Sequence, residues 1–197
     1  KTYQQNEVQY ISETDEFPTE AILMTFEEKE YDFEGHNVII TQPFRILAKR
    51  LYINCNSLVL KGPGYAENTE IKGNLISHYN IELSNCKIHT SKRDVSGIVH
   101  ITNGHTRMTN CEVYEGNVPG IFIEESSGAY LEKCFIHDVQ HTLVAASNTS
   151  ILSVVNCKLE NSPHNGIHSY KTRLAVSNTT INRSQYPAIS VFERECR

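Results

Sequence analysis

Four side chains able to move protons recur at near-constant spacing: His89, Tyr114, His137 and Glu160, at intervals of 25, 23 and 23 residues. Imidazole, phenol and carboxylate in a row are the equipment of general acid–base chemistry. On an acidic polysaccharide such a row takes a sugar C5 proton, while a nearby cation (Arg107, Lys87 or Lys158) neutralises the uronate carboxylate. The acid inventory argues against other glycan chemistry. There are four Asp, at 15, 32, 94 and 138. A hydrolase pair or a calcium cluster needs carboxylates close together. The nine His form neither HxH nor HExxH, so no metal and no cofactor is expected.

The row has meaning only if the chain stacks these residues, and the cysteines supply the ruler. Cys55, Cys86, Cys111, Cys134 and Cys157 follow one another at 31, 25, 23 and 23 residues. Four of them sit in an Asn-Cys frame, as in Asn85-Cys86-Lys87-Ile88-His89, and Lys133 takes the Asn place before Cys134. Asn178-Thr179-Thr180-Ile181-Asn182 repeats the frame with Thr for Cys. A Gly-Ile motif runs in phase, at Gly97-Ile98-Val99-His100-Ile101, Gly120-Ile121-Phe122-Ile123 and Gly166-Ile167-His168-Ser169. A third alternating stretch lies between, as in Thr106-Arg107-Met108 and Ala129-Tyr130-Leu131. Repeats of this length mark solenoids. Three short period-2 segments per repeat, with no helical period, predict an all-β right-handed parallel β-helix: three strands per coil, six to seven coils of 22–25 residues.

Equivalent positions then stack about 4.8 Å apart. Cys55, Cys86, Cys111, Cys134, Cys157 and Thr179 are expected to form one inward column. Asn54, Asn85, Asn110, Asn156 and Asn178 form a hydrogen-bonded amide ladder at the bend before it, with one irregular rung at Lys133. The row that opened the argument becomes an outward column. Residues 1–20 read as a linker or edge cap, and 21–197 as one domain, with opening coils at 21–62 and regular repeats at 77–192. The long interval after Cys55 predicts an extra loop at 62–76. The short charged C-terminus suggests a longer protein, or an end capped by a partner.

A second outward face is predicted from Val99, Phe122, Val144, His168, Tyr170 and Phe192. Exposed apolar residues in a row mark interfaces, so a protein partner is expected there, with sugar stacking as the alternative.

These Gly-Ile and Asn-Cys repeats resemble the right-handed parallel β-helix superfamily with pectin-lyase-like repeats, over about residues 50–192. They are similar in texture to the Shc-binding protein (nessun dorma) family and to β-helix F-box proteins. The resemblance implies the fold. It leaves function open, because the superfamily holds lyases, hydrolases, epimerases, phage spikes and non-catalytic modules.

Composition narrows the rest. A net charge of -5 argues against a nucleic-acid partner, and no apolar run is long enough to insert in a membrane. Stacked thiols invite mispairing in an oxidising compartment, which favours cytoplasm or nucleus over a secreted or viral origin. The sequons at Asn148, Asn178 and Asn182 read as accidental, Asn178 because it belongs to the inward ladder. The expected function is a non-catalytic binding or scaffold domain with a protein partner. The alternative is an oligosaccharide binder, or an enzyme of the polysaccharide-lyase or glycosidase type.

Overall fold

The computed structural model describes residues 9–10, 22–148 and 151–192. Alternating apolar and polar residues build strands throughout, because period-2 patterning buries every second side chain. These strands wind into eight coils among the described residues: 22–40, 44–60, 64–77, 81–101, 105–123, 128–147, 151–170 and 174–192. Every pairing is parallel, strand on equivalent strand, in three long sheets. In the first sheet His105–Thr109 lies between Ile81–Ser84 and Gly128–Glu132. In the second, Glu112–Gly116 lies between Lys87–His89 and Phe135–Val139. In the third, Ile121–Ile123 lies between Val99–Ile101 and Val144–Ser147.

The fold is the expected parallel β-helix, with one or two more coils than the repeats suggested. The difference is residues 64–77, expected to be a loop. They form a complete coil from the strands Gly64–Glu67 and Thr69–Ser77. The expected cap at 1–20 lies outside the described residues, except that Gln9–Tyr10 pairs in parallel with Ile39 and Ile40. Among the described residues, no helix is long and apolar enough to cross a membrane.

The interior is a stack of aliphatic rungs. Ile71, Ile88, Val113, Ile136 and Leu159 succeed one another in the second sheet, each 2% exposed or less. Burying each such side chain contributes roughly 1.5–3 kcal/mol. The third sheet buries Leu75, Val99, Ile121, Val144 and Ile167, all fully. This corrects the expected outward face. Val99 and Val144 point into the core, because their coils carry one apolar residue more before the strand, Ile98 and Leu143, where the neighbouring coils have Gly120 and Gly166. A shift of one residue turns every side chain of a strand to the other face. Large and small side chains therefore alternate at this corner. A Cβ on Gly120 would come within 2.5 Å of the Leu143 carbonyl oxygen.

The cysteine column is real but differently populated. Its rungs are Thr69, which begins its strand, and Cys86, Cys111, Cys134, Cys157 and Thr179, each one residue before a second-sheet strand. Cys55 is not among them. It pairs with Phe33 at the far end of the same sheet, two residues past Ile53. The column's thiols are free and buried. Each reaches two carbonyls, one on its own coil and one on the coil before: Cys134 to Glu132 at 3.4 Å and Met108 at 3.3 Å, Cys157 to Val155 at 3.3 Å and Leu131 at 3.5 Å. Thr179 does the same with its hydroxyl, to Ser177 at 2.9 Å and Val154 at 3.3 Å. The position needs a short side chain that donates a hydrogen bond at the bend.

The bend itself is made by the residue before. Asn68, Asn85, Asn110, Lys133, Asn156 and Asn178 all have φ between 46° and 53°. Asn tolerates this left-handed conformation better than other L-residues. The expected inward amide ladder is thus corrected. Asn85, Asn110, Asn156 and Asn178 are exposed, and their work is to turn the backbone. Lys133 keeps the same turn, so its rung is regular. Asn54 lies within a strand, where its amide donates to Asp32 Oδ1 at 2.9 Å. Asn68 is the rung that sequence reading missed, and it donates to the Ala48 carbonyl at 2.7 Å. Because Asn178 is exposed, the steric ground for dismissing its sequon disappears.

Candidate functional site

The predicted outward column forms on the second sheet: His89, Tyr114, His137 and Glu160 are direct neighbours in register. Parallel pairing of equivalent rungs forces their rings into a stack. His89 and Tyr114 lie 4.7 Å apart with planes at 20°, and Tyr114 and His137 lie 5.4 Å apart at 4°. Phe135 closes on His137 at 3.8 Å from the strand's next outward position.

Carboxylates enclose these rings. His137 Nε2 is 2.9 Å from Glu112, and its Nδ1 is 2.7 Å from Asp138. Each nitrogen of the ring thus faces one carboxylate. Glu112 also takes Lys87 at 3.2 Å. Burial pushes Glu112 up, but the hydrogen bonds from His137 and Lys87 outweigh it and hold the carboxyl below its ordinary range. Asp138 is likewise held low, by hydrogen bonds from His137 and then Asn161. His89 faces Glu70 at 3.3 Å and Glu115 at 3.9 Å. Burial, followed by the charges of Glu70, Glu112 and Glu115, pushes the Tyr114 phenol up to about 12. The phenol therefore stays protonated at neutral pH.

The proposed cations each have a carboxylate partner. Lys158 pairs with Glu160 at 3.0 Å and lies over the Phe135 ring. Arg107 sits on the first sheet, over Tyr130 and 4.0 Å from Glu82. The acids Glu70, Glu115 and Asp138 were not part of the sequence-derived stripe. The signal for two of them is a second left-handed column, Glu115, Asp138, Asn161 and Arg183, with φ of 55°, 52°, 60° and 54°. These are polar residues at one repeat position. Among the described residues, no group of three or more His, Cys, Asp or Glu can hold a metal ion.

The other predicted face, on the third sheet, keeps Phe122, His168, Tyr170 and Phe192 outward, and further apolar residues join Phe122 there. Ile39, Val59, Ile76, His100, Phe122, Ala145 and His168 follow one another in register. Val59, pointing outward, is only 9% exposed. Tyr170 and Phe192 are 37% and 53% exposed at the column's far end. Unbroken apolar runs, Leu58-Val59-Leu60 and Leu75-Ile76, are the sequence signal for a strand apolar on both faces.

Residues 70–195 match a family model described as a right-handed β-helix region. No curated protein matches the sequence. Among solved structures, the A-module of the mannuronan C-5 epimerase AlgE6 from Azotobacter vinelandii is similar with 11% identity and a TM-score of 0.37, over 85% of this chain. The chain spans 65% of that module. The register, the three parallel sheets and the matched residues agree: this chain belongs to the right-handed β-helix family.

Proposed function

We propose that this chain is a non-catalytic β-helix binding module that presents the outer face of its third sheet to a protein partner. The observation that carries this reading is the apolar row Ile39, Val59 and Ile76, resumed beyond His100 by Phe122 and Ala145, on a face where a solenoid ordinarily places polar groups. Apolar side chains gathered on an outward face mark interfaces. The second sheet supports the same reading. Glu112, His137, Asp138 and Lys87 satisfy one another, and the Tyr114 phenol keeps its proton. Lyase chemistry needs a base and a cation that are free to meet substrate. The buried free thiols suit a reducing compartment, cytoplasm or nucleus.

The test is capture of a partner by the whole chain, compared with an Ile76→Glu, Phe122→Glu double variant. The variant is expected to lose the partner about tenfold or more while its urea unfolding curve shows a folded protein. Undiminished capture sinks the reading. A second reading, oligosaccharide recognition along His89, Tyr114 and His137, is favoured by their near-parallel rings. Unsaturated product from uronate oligosaccharides, lost in His137→Ala, would overturn the non-catalytic conclusion.

A further inference from the structure

Beside the apolar stripe, the corner between the third and first sheets forms an open cleft of about 470 Å3, lined by Thr41, Lys61, His78, Tyr79 and Asn103. Three successive coils each supply one stripe residue and, two positions later, one cleft residue: Ile39 and Thr41, Val59 and Lys61, Ile76 and His78. Thr41, Lys61 and His78 each lie one residue past the end of a strand, at the corner. The polar cleft therefore adjoins the apolar stripe at this corner.

The charge of the cleft is specific. Its lining holds one ammonium, Lys61, and no carboxylate. This is a local exception on a chain of net charge -5. Glu124, whose charge reaches His78, is itself held by His100 at 2.6 Å. His78 is fixed in place. The Thr102 hydroxyl donates to the Ser77 carbonyl at 3.0 Å, so it receives the Nδ1–H of His78 at 2.7 Å. Burial, then the charges of Lys61 and His100, hold His78 below its ordinary range, leaving Lys61 as the cation of the cleft.

We infer that the partner segment seated on the stripe carries an Asp or Glu side chain whose carboxylate lands on Lys61 in this cleft. The inference rests on the third sheet being the partner face. It names the partner's chemistry: apolar residues for Val59 and Ile76, and one acid at their corner side. Lys61 supplies the charge, and the Asn103 amide supplies a further donor.

The test is an NMR titration of the whole chain with acetyl-Val-Ile-Glu-amide and its Gln analogue. The Glu peptide is expected to shift Lys61 and Asn103 together with Val59 and Ile76, and to bind about fivefold tighter than the Gln peptide at low salt. That difference disappears in K61Q and shrinks as salt is added. Equal binding of the two peptides overturns the inference and leaves the stripe as partner face. Shifts at Lys61 alone, reproduced by sodium acetate, also overturn it, because the cleft is then an anion hollow independent of the stripe. Absence of any response overturns it as well, and the partner face is then judged by the Ile76→Glu, Phe122→Glu comparison above.

Discussion

Cys157 donates its backbone N–H to Thr179 Oγ1 at 3.2 Å, and Cys134 makes the same donation to the Cys157 thiol at 3.4 Å. Hydroxyl and thiol are thus interchangeable parts of one column. Each accepts from the rung before and donates to carbonyls at the bend. The cysteines are selected for this polar reach as well as for small size.

Replacement of Cys134 by Thr should therefore change stability by less than about 1 kcal/mol, whereas Cys134→Val, similar in shape but unable to donate, should cost about 1–3 kcal/mol. Urea unfolding of the two variants separates the explanations. Equal costs would show that volume alone matters.

Lys133 stands at φ 53° where its equivalents are asparagines. A left-handed conformation costs most L-residues roughly 1–2 kcal/mol, and Asn less. Lys133→Asn is expected to stabilise the protein by about 1 kcal/mol, read as a raised unfolding midpoint. An unchanged or lowered midpoint would refute the backbone role assigned to the asparagine column.

Gly120 faces the Leu143 carbonyl, where an added Cβ would sit 2.5 Å from the oxygen. Backbone cannot retreat cheaply in a packed solenoid. Gly120→Ala should destabilise by about 1–3 kcal/mol, and a smaller side chain at Leu143 should not rescue it, because the clash is with backbone. Rescue by Leu143→Ala would disprove that account.

Glu112 and Asp138 titrate lower in the folded chain than in the unfolded one. Their contribution to stability is complete above the ordinary carboxylate range of about 4 and is lost as pH falls through their folded values. Unfolding midpoints should fall in acid, and the Glu112→Gln, Asp138→Asn double variant should flatten that slope while losing stability at neutral pH. A wild-type slope in the variant would show that the His137 network does not carry the acid sensitivity.

The sequence alone determined the architecture. Repeats such as Asn110-Cys111-Glu112-Val113-Tyr114 state their period directly, and a repeated strand can bury its apolar side only against its own next copy. The same period placed His89, Tyr114, His137 and Glu160 in one column, because those residues share one repeat frame without insertions. What the tertiary structure decided was register and face. Cys55 left its column, Asn54 left its bend, and Val99 and Val144 turned inward, each through an offset of one or a few residues. In a period-2 element one residue exchanges core for solvent, and only pairing with the neighbouring coil fixes which way it falls. Tertiary structure also decided what the stripe can do. The carboxylates around His137 come from two coils and two repeat positions, so their mutual satisfaction appears only once the coils are stacked.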